Sequence, residues 1–359
     1  MAHPFLKNIE RRGKKLVEWG ARLFARKASP DFPAVTDLNK ILLLRLDEKI
    51  GNSLMMWPLV CAIRKNRPRA EIHLWACSPV THLFQAVFED NRIVYHHYDQ
   101  DYFWRHPQQF FARLKYLRQQ KIDLAISCHN PDNFSLSQAL LARWIRPGCL
   151  LGFRWKDSAA FYDVAVPSGT DRHYVESLLD LWRYFVPEAK FDMECNPGMV
   201  RLPPADGKEE LDSETGRIIF WIGATPGKEL NSRLIAFIYE QLVENLPFAV
   251  ELAAGPADRA LVERYPQWIR QQVSFQRGSL SDTARYFASG ALFVSGDTGP
   301  MHLAALLNIP TLTIFTRTNA RQYGYQDGAR HFALQWKDTA ENRMELNKII
   351  LKLKALYHG

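Results

Sequence analysis

At 359 residues the chain is long enough for two domains of ordinary size, and 47% hydrophobic with 23% charged residues excludes a disordered or fibrous polymer. No window approaches the about 20 uninterrupted apolar residues that a membrane span requires, and the N-terminus lacks the apolar core of a signal peptide. Five scattered cysteines (Cys61, Cys77, Cys128, Cys149 and Cys195), never spaced as CxxC, argue for reduced thiols, no structural zinc and a cytosolic setting.

The net charge of +8 is front-loaded, because residues 1–30 hold eight Lys and Arg against two Glu. On a helical wheel Phe5, Ile9, Leu16, Trp19 and Leu23 share one face, and Lys7, Arg11, Lys14, Lys15, Arg22 and Arg26 share the other. That is the pattern of a helix lying in the surface of an anionic membrane, which would place residues 5–27 there. The plainer alternatives are a docked helix or a basic tail that is disordered without a partner. Outside this segment no concentrated basic patch is visible, which argues against nucleic acid. The stretch "ASPDFPAVTD" then reads as a linker, so residues 1–36 stand apart.

Apolar strand-like runs follow at 40–46, 70–77, 92–98, 122–128 and 149–155, with helical stretches near 53–66, 79–88, 107–119 and 134–145. Near-continuous apolar strands separated by helices predict a parallel sheet covered on both faces. A longer amphipathic stretch over 172–185 ends before Pro187. Residues 196–216 carry Pro, Gly and charge with little periodicity, which predicts a domain boundary near 200. A second alternation begins at "RIIFWIGA" (217–224) and runs through "FAVELAAG", "VSFQRG" and "ALFVSG" to "TLTIFT" (311–316). The chain is expected to fold as two doubly wound α/β domains, 37–200 and 201–339, facing each other across a cleft, with a final amphipathic helix over 340–359. Ligands in such sheets bind beyond the carboxyl ends of the strands.

The strongest local signal is "VSGDTGPMHLAALLNIPTLTIF" (294–315). A strand ends, Gly296–Gly299 turn, and Pro300 opens a helix where its missing N–H is not needed. Free backbone N–H groups and a helix dipole then aim at the cleft, a site for phosphate or sugar phosphate. Thr298 adds a hydroxyl. Asp297 either orders the turn or bonds a ligand hydroxyl, and His302 either faces the ligand or packs behind it. Upstream, "IGATPGKELN" places Thr225 and Lys228 in another loop after a strand, where lysine suits a diphosphate oxygen. In "AAGPADR", Asp258 could accept from a ribose hydroxyl or cap the next helix.

The run D-T-G-P-M-H-L-A-A followed by "NIPTLTIF" closely resembles the signature of glycosyltransferase family 9, the heptosyltransferases of bacterial lipopolysaccharide core assembly. "LRLDEKIGNSLMMWPLVCAIRKNRPRAEIHLWA" (44–76) is similar to the family's other hallmark: a strand, an R-L-x-x-I-G-D loop, a helix opening towards Pro, and a P-x-A-x-I strand. The resemblance covers about residues 38–325 and implies a GT-B fold, with two Rossmann-like domains, the nucleotide sugar on the second and the acceptor on the first. It implies inverting transfer without a metal or other cofactor, usually from ADP-L-glycero-D-manno-heptose. Thr225 and Lys228 would hold the diphosphate; Asp297, Thr298 and Gly299 would contact donor phosphate and sugar, with His302 close by. In such folds the last helix commonly crosses back to the first domain, which fits 340–358. The basic segment 5–27 would then meet the cytoplasmic face of the inner membrane, where an anionic glycolipid acceptor resides.

One departure stands out. The family carries an Asp base directly after the loop glycine, and here that position is Asn52 beside Gly51. The loop is one residue longer, with Asp47, Glu48 and Lys49. Either Glu48 or Asp47 has become the base, or Asn52 only positions an acceptor that assists itself, or the chain binds the nucleotide sugar without turnover. Another nucleotide sugar on the same fold is a further reading. The loop "SCHNPDNFS" (127–135) would line the acceptor side through His129 and Asp132.

Overall fold

The computed structural model describes residues 34–88, 90–99, 105–169, 171–190 and 216–357. The basic segment 5–27, the expected boundary near 200 and Cys195 lie outside these residues.

The first domain runs β1 (Lys40–Leu44), α1 (Ile50–Leu54), α2 (Trp57–Asn66), β2 (Glu71–Cys77), α3 (Ser78–Val87), β3 (Ile93–Tyr98), α4 (Pro107–Gln119), β4 (Leu124–Ser127), α5 (Leu136–Ile145), β5 (Cys149–Phe153), β6 (Val164–Val166) and α6 (Tyr174–Arg183). Its strands form one parallel sheet in the order β3-β2-β1-β4-β5-β6. The second domain runs β7 (Arg217–Trp221), α7 (Ser232–Asn245), β8 (Ala249–Ala254), α8 (Arg259–Val262), α9 (Gln267–Gln272), β9 (Ser274–Phe275), α10 (Leu280–Ala288), β10 (Gly290–Gly296), α11 (Gly299–Leu306), β11 (Thr311–Phe315), α12 (Ala320–Tyr323), β12 (His331–Gln335) and α13 (Ala340–Leu356). Its parallel sheet, β12-β11-β10-β7-β8-β9, repeats the same winding. Both orders reverse direction beside the first strand of the domain, which opens the crevice where such folds bind ligands. β1 and β7 are buried from their second residue on, as covered strands must be.

Proline explains where predicted helices divide. The stretch near 53–66 splits into α1 and α2 because Pro58 sits in the first turn of α2 and has no N–H to continue α1. Within a stretch near 257–270 expected to be one helix, Pro266 at the N-cap of α9 likewise separates α8 from α9. Two edge strands, β6 and β12, carry too short an apolar run to stand out in sequence.

The last helix departs from expectation. α13 does not cross back; it packs on α7 and β12 of its own domain. Leu346, Ile349, Ile350 and Leu353 recur at helical spacing and enter the second core beside Ile235 and Ile238. The domains meet instead through α1 against α11 and α3 against α10. One apolar cluster runs through this contact, joining Trp57, Phe84 and Phe88 to Phe287, Met301 and Leu303. Among the described residues no helix is long and apolar enough to cross a membrane.

Candidate active site between the domains

On the second domain, "TPGK" forms a tight turn after β7. Lys228 donates its N–H to the Thr225 carbonyl at 3.0 Å, with Pro226 and Gly227 as central residues. Gly227 has φ +88°, which a type II turn demands and which glycine adopts without strain. The turn carries the Lys228 ammonium to Asp297 Oδ2 at 2.6 Å, and the Thr318 hydroxyl donates to the same oxygen. Asp297 is buried at the end of β10, so its charge needs such partners. The carboxylate thus anchors Lys228 and Thr318. Thr225 itself is exposed on the loop.

Thr298 is the extended N-cap of α11, followed by Gly299 and Pro300 in the first turn. A lysine side chain still 36% exposed therefore sits beside the positive end of a helix dipole. His302 lies one turn further, buried, with Nδ1 3.2 Å from the Tyr325 hydroxyl. Burial, helped by the charges of His173 and Lys228 and opposed by Asp297, pushes its pKa down to about 3. The imidazole is therefore neutral at neutral pH.

Asp258 stands apart from this cluster. Its Oδ2 accepts the Gly255 N–H at 2.8 Å, and burial raises its pKa. A Cβ on Gly223 would lie 2.0 Å from that oxygen, so the glycine makes room for the carboxylate. Capping of the next helix, one of the two roles read for Asp258 from sequence, is not observed: at the N-cap of α8 its side chain makes no bond into that helix and turns back to Gly255 instead.

On the first domain the organising residue is Arg45, which is 1% exposed. Nη1 donates to the Cys128 carbonyl at 2.7 Å and to the Tyr174 hydroxyl at 2.5 Å. Nη2 reaches Asn130 Oδ1 at 2.8 Å and Asp47 Oδ2 at 2.7 Å, and Nε reaches the same Asp47 oxygen at 2.9 Å. One guanidinium thus ties the loop after β1, the loop after β4 and the start of α6. Asp47 Oδ1 accepts the Lys49 N–H at 3.0 Å, so both carboxylate oxygens are occupied. Glu48 and Lys49 are exposed at the same loop. Tyr98, at the end of β3, has its pKa raised by burial and then by the charges of Glu48 and Asp47. His129 is held down to about 4 by burial and by the charge of Arg45.

The two halves touch at Gly51. A Cβ built there would lie 2.6 Å from His302 Cδ2 and 3.3 Å from the Gly299 Cα. Only glycine permits this approach of the first-domain loop to α11. Asn52 follows in the same turn, half-buried. Tyr323 on α12 feels both sides: burial, then the charges of Asp132 and Asp297, raises its hydroxyl pKa to about 12. A carboxylate from each domain, Asp132 and Asp297, therefore acts on one tyrosine.

The model of glycosyltransferase family 9 (heptosyltransferase) matches residues 111–348. The chain belongs to glycosyltransferase family 9. Solved structures agree on the fold. A family 9 glycosyltransferase from Veillonella parvula DSM 2008 is 18% identical, with a TM-score of 0.61 over 87% of this chain and 90% of its own. Escherichia coli heptosyltransferase WaaC with ADP-2-deoxy-2-fluoro heptose is 16% identical, with a TM-score of 0.60 over 89% of this chain and 100% of its own. The E. coli ADP-heptose lipopolysaccharide heptosyltransferase II is 15% identical, with a TM-score of 0.59 over 89% and 100%. Among curated proteins none matches the chain. This family 9 glycosyltransferase has the two-domain GT-B fold expected from its motifs.

Sequence reasoning missed Tyr174, Thr318, Tyr323, Tyr325 and His173 as parts of this glycosyltransferase's cleft, and no local pattern marks them. Arg45 did carry a signal, since a lone cation inside an apolar strand run must find partners. Among the described residues no three His, Cys, Asp or Glu side chains are grouped to hold a metal ion.

Proposed function

We propose that this enzyme transfers heptose from ADP-L-glycero-D-manno-heptose to the lipopolysaccharide core, with inversion and without a metal. The observation that carries the reading is the Lys228–Asp297 pair at the N-terminus of α11, closed from the other domain by Gly51. The E. coli relatives of the same fold, one solved with an ADP-heptose analogue, support this donor. Lys228 and the Thr298 and Gly299 N–H groups take the diphosphate, Thr225 borders it, and His302 offers a neutral imidazole near the sugar. Asp258 shapes the nucleotide side through Gly255.

The acceptor hydroxyl attacks the anomeric carbon as the bond to the ADP oxygen breaks, and the electron pair leaves on the diphosphate. Lys228 and the α11 dipole stabilise that charge. The proton passes to a carboxylate. Glu48 takes this role in our reading, because protonating Asp47 would break its pair with buried Arg45. Asn52, Lys49, His129 and Asp132 hold the acceptor. Residues 5–27 keep the enzyme on the cytoplasmic face of the inner membrane, where the acceptor is embedded.

The test is turnover: purified protein with ADP-heptose and truncated core lipid should release ADP and give an inverted product. Tight ADP binding without turnover would instead support a binding protein that lost its base, the reading Asn52 favours. Turnover only with other nucleotide sugars would overturn the heptose assignment and keep the chemistry.

A further inference from the structure

α4 and α5 lie side by side on one face of the first sheet, over the cluster of Phe110, Leu114, Leu117, Ala139 and Ala142. Their outer side is unusual in two respects. It exposes large aromatic residues, with Phe111 55% and Trp144 41% accessible. The two helices and their ends also lack carboxylates: residues 105–122 and 133–146 contain no Asp or Glu against seven Lys and Arg, of which Arg143 pairs with Asp163. Asp123 and Asp132 fall in the segment between, so neither stretch reads as a basic patch until folding sets them together. Phe111, Lys115 and Arg118 recur at helical spacing on one stripe, and the Arg118 guanidinium lies 5.3 Å from the centre of the Trp144 ring. Lys121 and Arg146, exposed at the ends of the two helices, extend the positive field.

We propose that this α4–α5 face docks on an anionic phospholipid bilayer, independently of the basic segment at the N-terminus. A protein partner would favour fewer flexible cations and more enclosed apolar surface. Exposed Trp and Phe interleaved with Lys and Arg fit the headgroup layer, where rings enter the acyl boundary and cations meet lipid phosphates. The orientation serves the chemistry. In a parallel sheet the crossover helices begin at the carboxyl edge, and α5 starts just after the loop that carries His129 and Asp132, which we place at the acceptor mouth. A bilayer against this face brings a lipid-linked acceptor to the cleft without extracting it. The inference deepens the reading of a membrane-resident acceptor.

The test uses the full chain, phosphatidylcholine vesicles with or without phosphatidylglycerol, and no sugar acceptor. Lysine acetylation read by peptide mass should fall at Lys115 and Lys121 with anionic vesicles only, while Lys348 on α13 stays reactive. The double substitution K115E/R118E should weaken vesicle binding by roughly 25-fold, since each surface cation contributes about fivefold, and should leave transfer to a soluble acceptor unchanged. Undiminished Lys115 reactivity in vesicle-bound protein, no vesicle binding at all, or protection by RNA in place of lipid would each overturn the proposal. Transfer activity is scored separately, so failure here leaves the glycosyltransferase reading standing, and the converse holds.

Discussion

Asp47 and Glu48 are neighbours with opposite prospects as bases. Asp47 gives one oxygen to the Arg45 guanidinium and the other to a backbone N–H, whereas Glu48 is exposed on the same loop. E48Q should therefore lower kcat by roughly 10²–10⁴, the usual contribution of a positioned proton acceptor, with little change in thermal stability. D47N should act on the fold: Arg45 keeps its three other partners but loses its charge partner, costing roughly 1.5–3 kcal/mol. Differential scanning calorimetry beside a transfer assay separates the two, and a near-normal rate for E48Q would remove Glu48 as base. Asn52 offers a complementary experiment. At the third residue of a short helix, N52D suits the helix dipole and places a carboxylate directly after Gly51. Introduced into E48Q it should recover at least part of the lost rate; no recovery would show that position 52 does not reach the reacting hydroxyl.

At the scale of elements, the contact between α1 and α11 is set by the size of one residue. Gly51 has an ordinary backbone conformation, so its requirement is for space and not for positive φ. Ala at this position would push a methyl carbon to 2.6 Å from the His302 ring unless α1 and α11 separate. G51A should cost about 1–3 kcal/mol, as overpacking does, and lower kcat/KM because the first-domain loop no longer closes on the donor site. An unchanged rate would mean that the observed approach is not needed for chemistry. The same scale explains the course of α13. Its apolar stripe matches the second core, and burying that stripe outweighs any contact available on the first domain.

Across the whole molecule, four buried or half-buried histidines share one electrostatic property. Burial holds His96 and His302 down to about 3, and His129 and His173 down to about 4. An unfolded chain protonates histidine near 6.5, so between about pH 6.5 and pH 3 it binds protons that the folded form refuses. These residues leave stability intact above about pH 6.5 and drain it steadily as pH falls below. Calorimetric melting should show Tm falling from pH 7 to pH 4.5, the slope growing to about pH 5.5 and then holding; a flat Tm over that range would contradict the burial of these rings. Activity should fall over the same window as the fold weakens.

The sequence by itself determined the two parallel sheets, the loops at their carboxyl ends and the Gly-Asp-Thr-Gly turn that opens α11, because each rests on local pattern. Covered strands read as continuous apolar runs, Pro and Gly mark helix starts, and T-P-G-K forms its own turn within four residues. The edge strands β6 and β12 were not legible, being too short to show a period. Nor were the partners of the site residues. Asp297 meets Thr318 and Lys228, Arg45 meets Tyr174 and Asn130, and Gly51 meets His302 across chain separations that no local signal spans. Only the tertiary structure could decide that Asp47 is a tether, that Gly51 is a spacer, and that two stretches without carboxylates form one face. Those roles depend on which distant group occupies the remaining hydrogen-bonding and packing space, and packing assigns that space only once the whole core has formed.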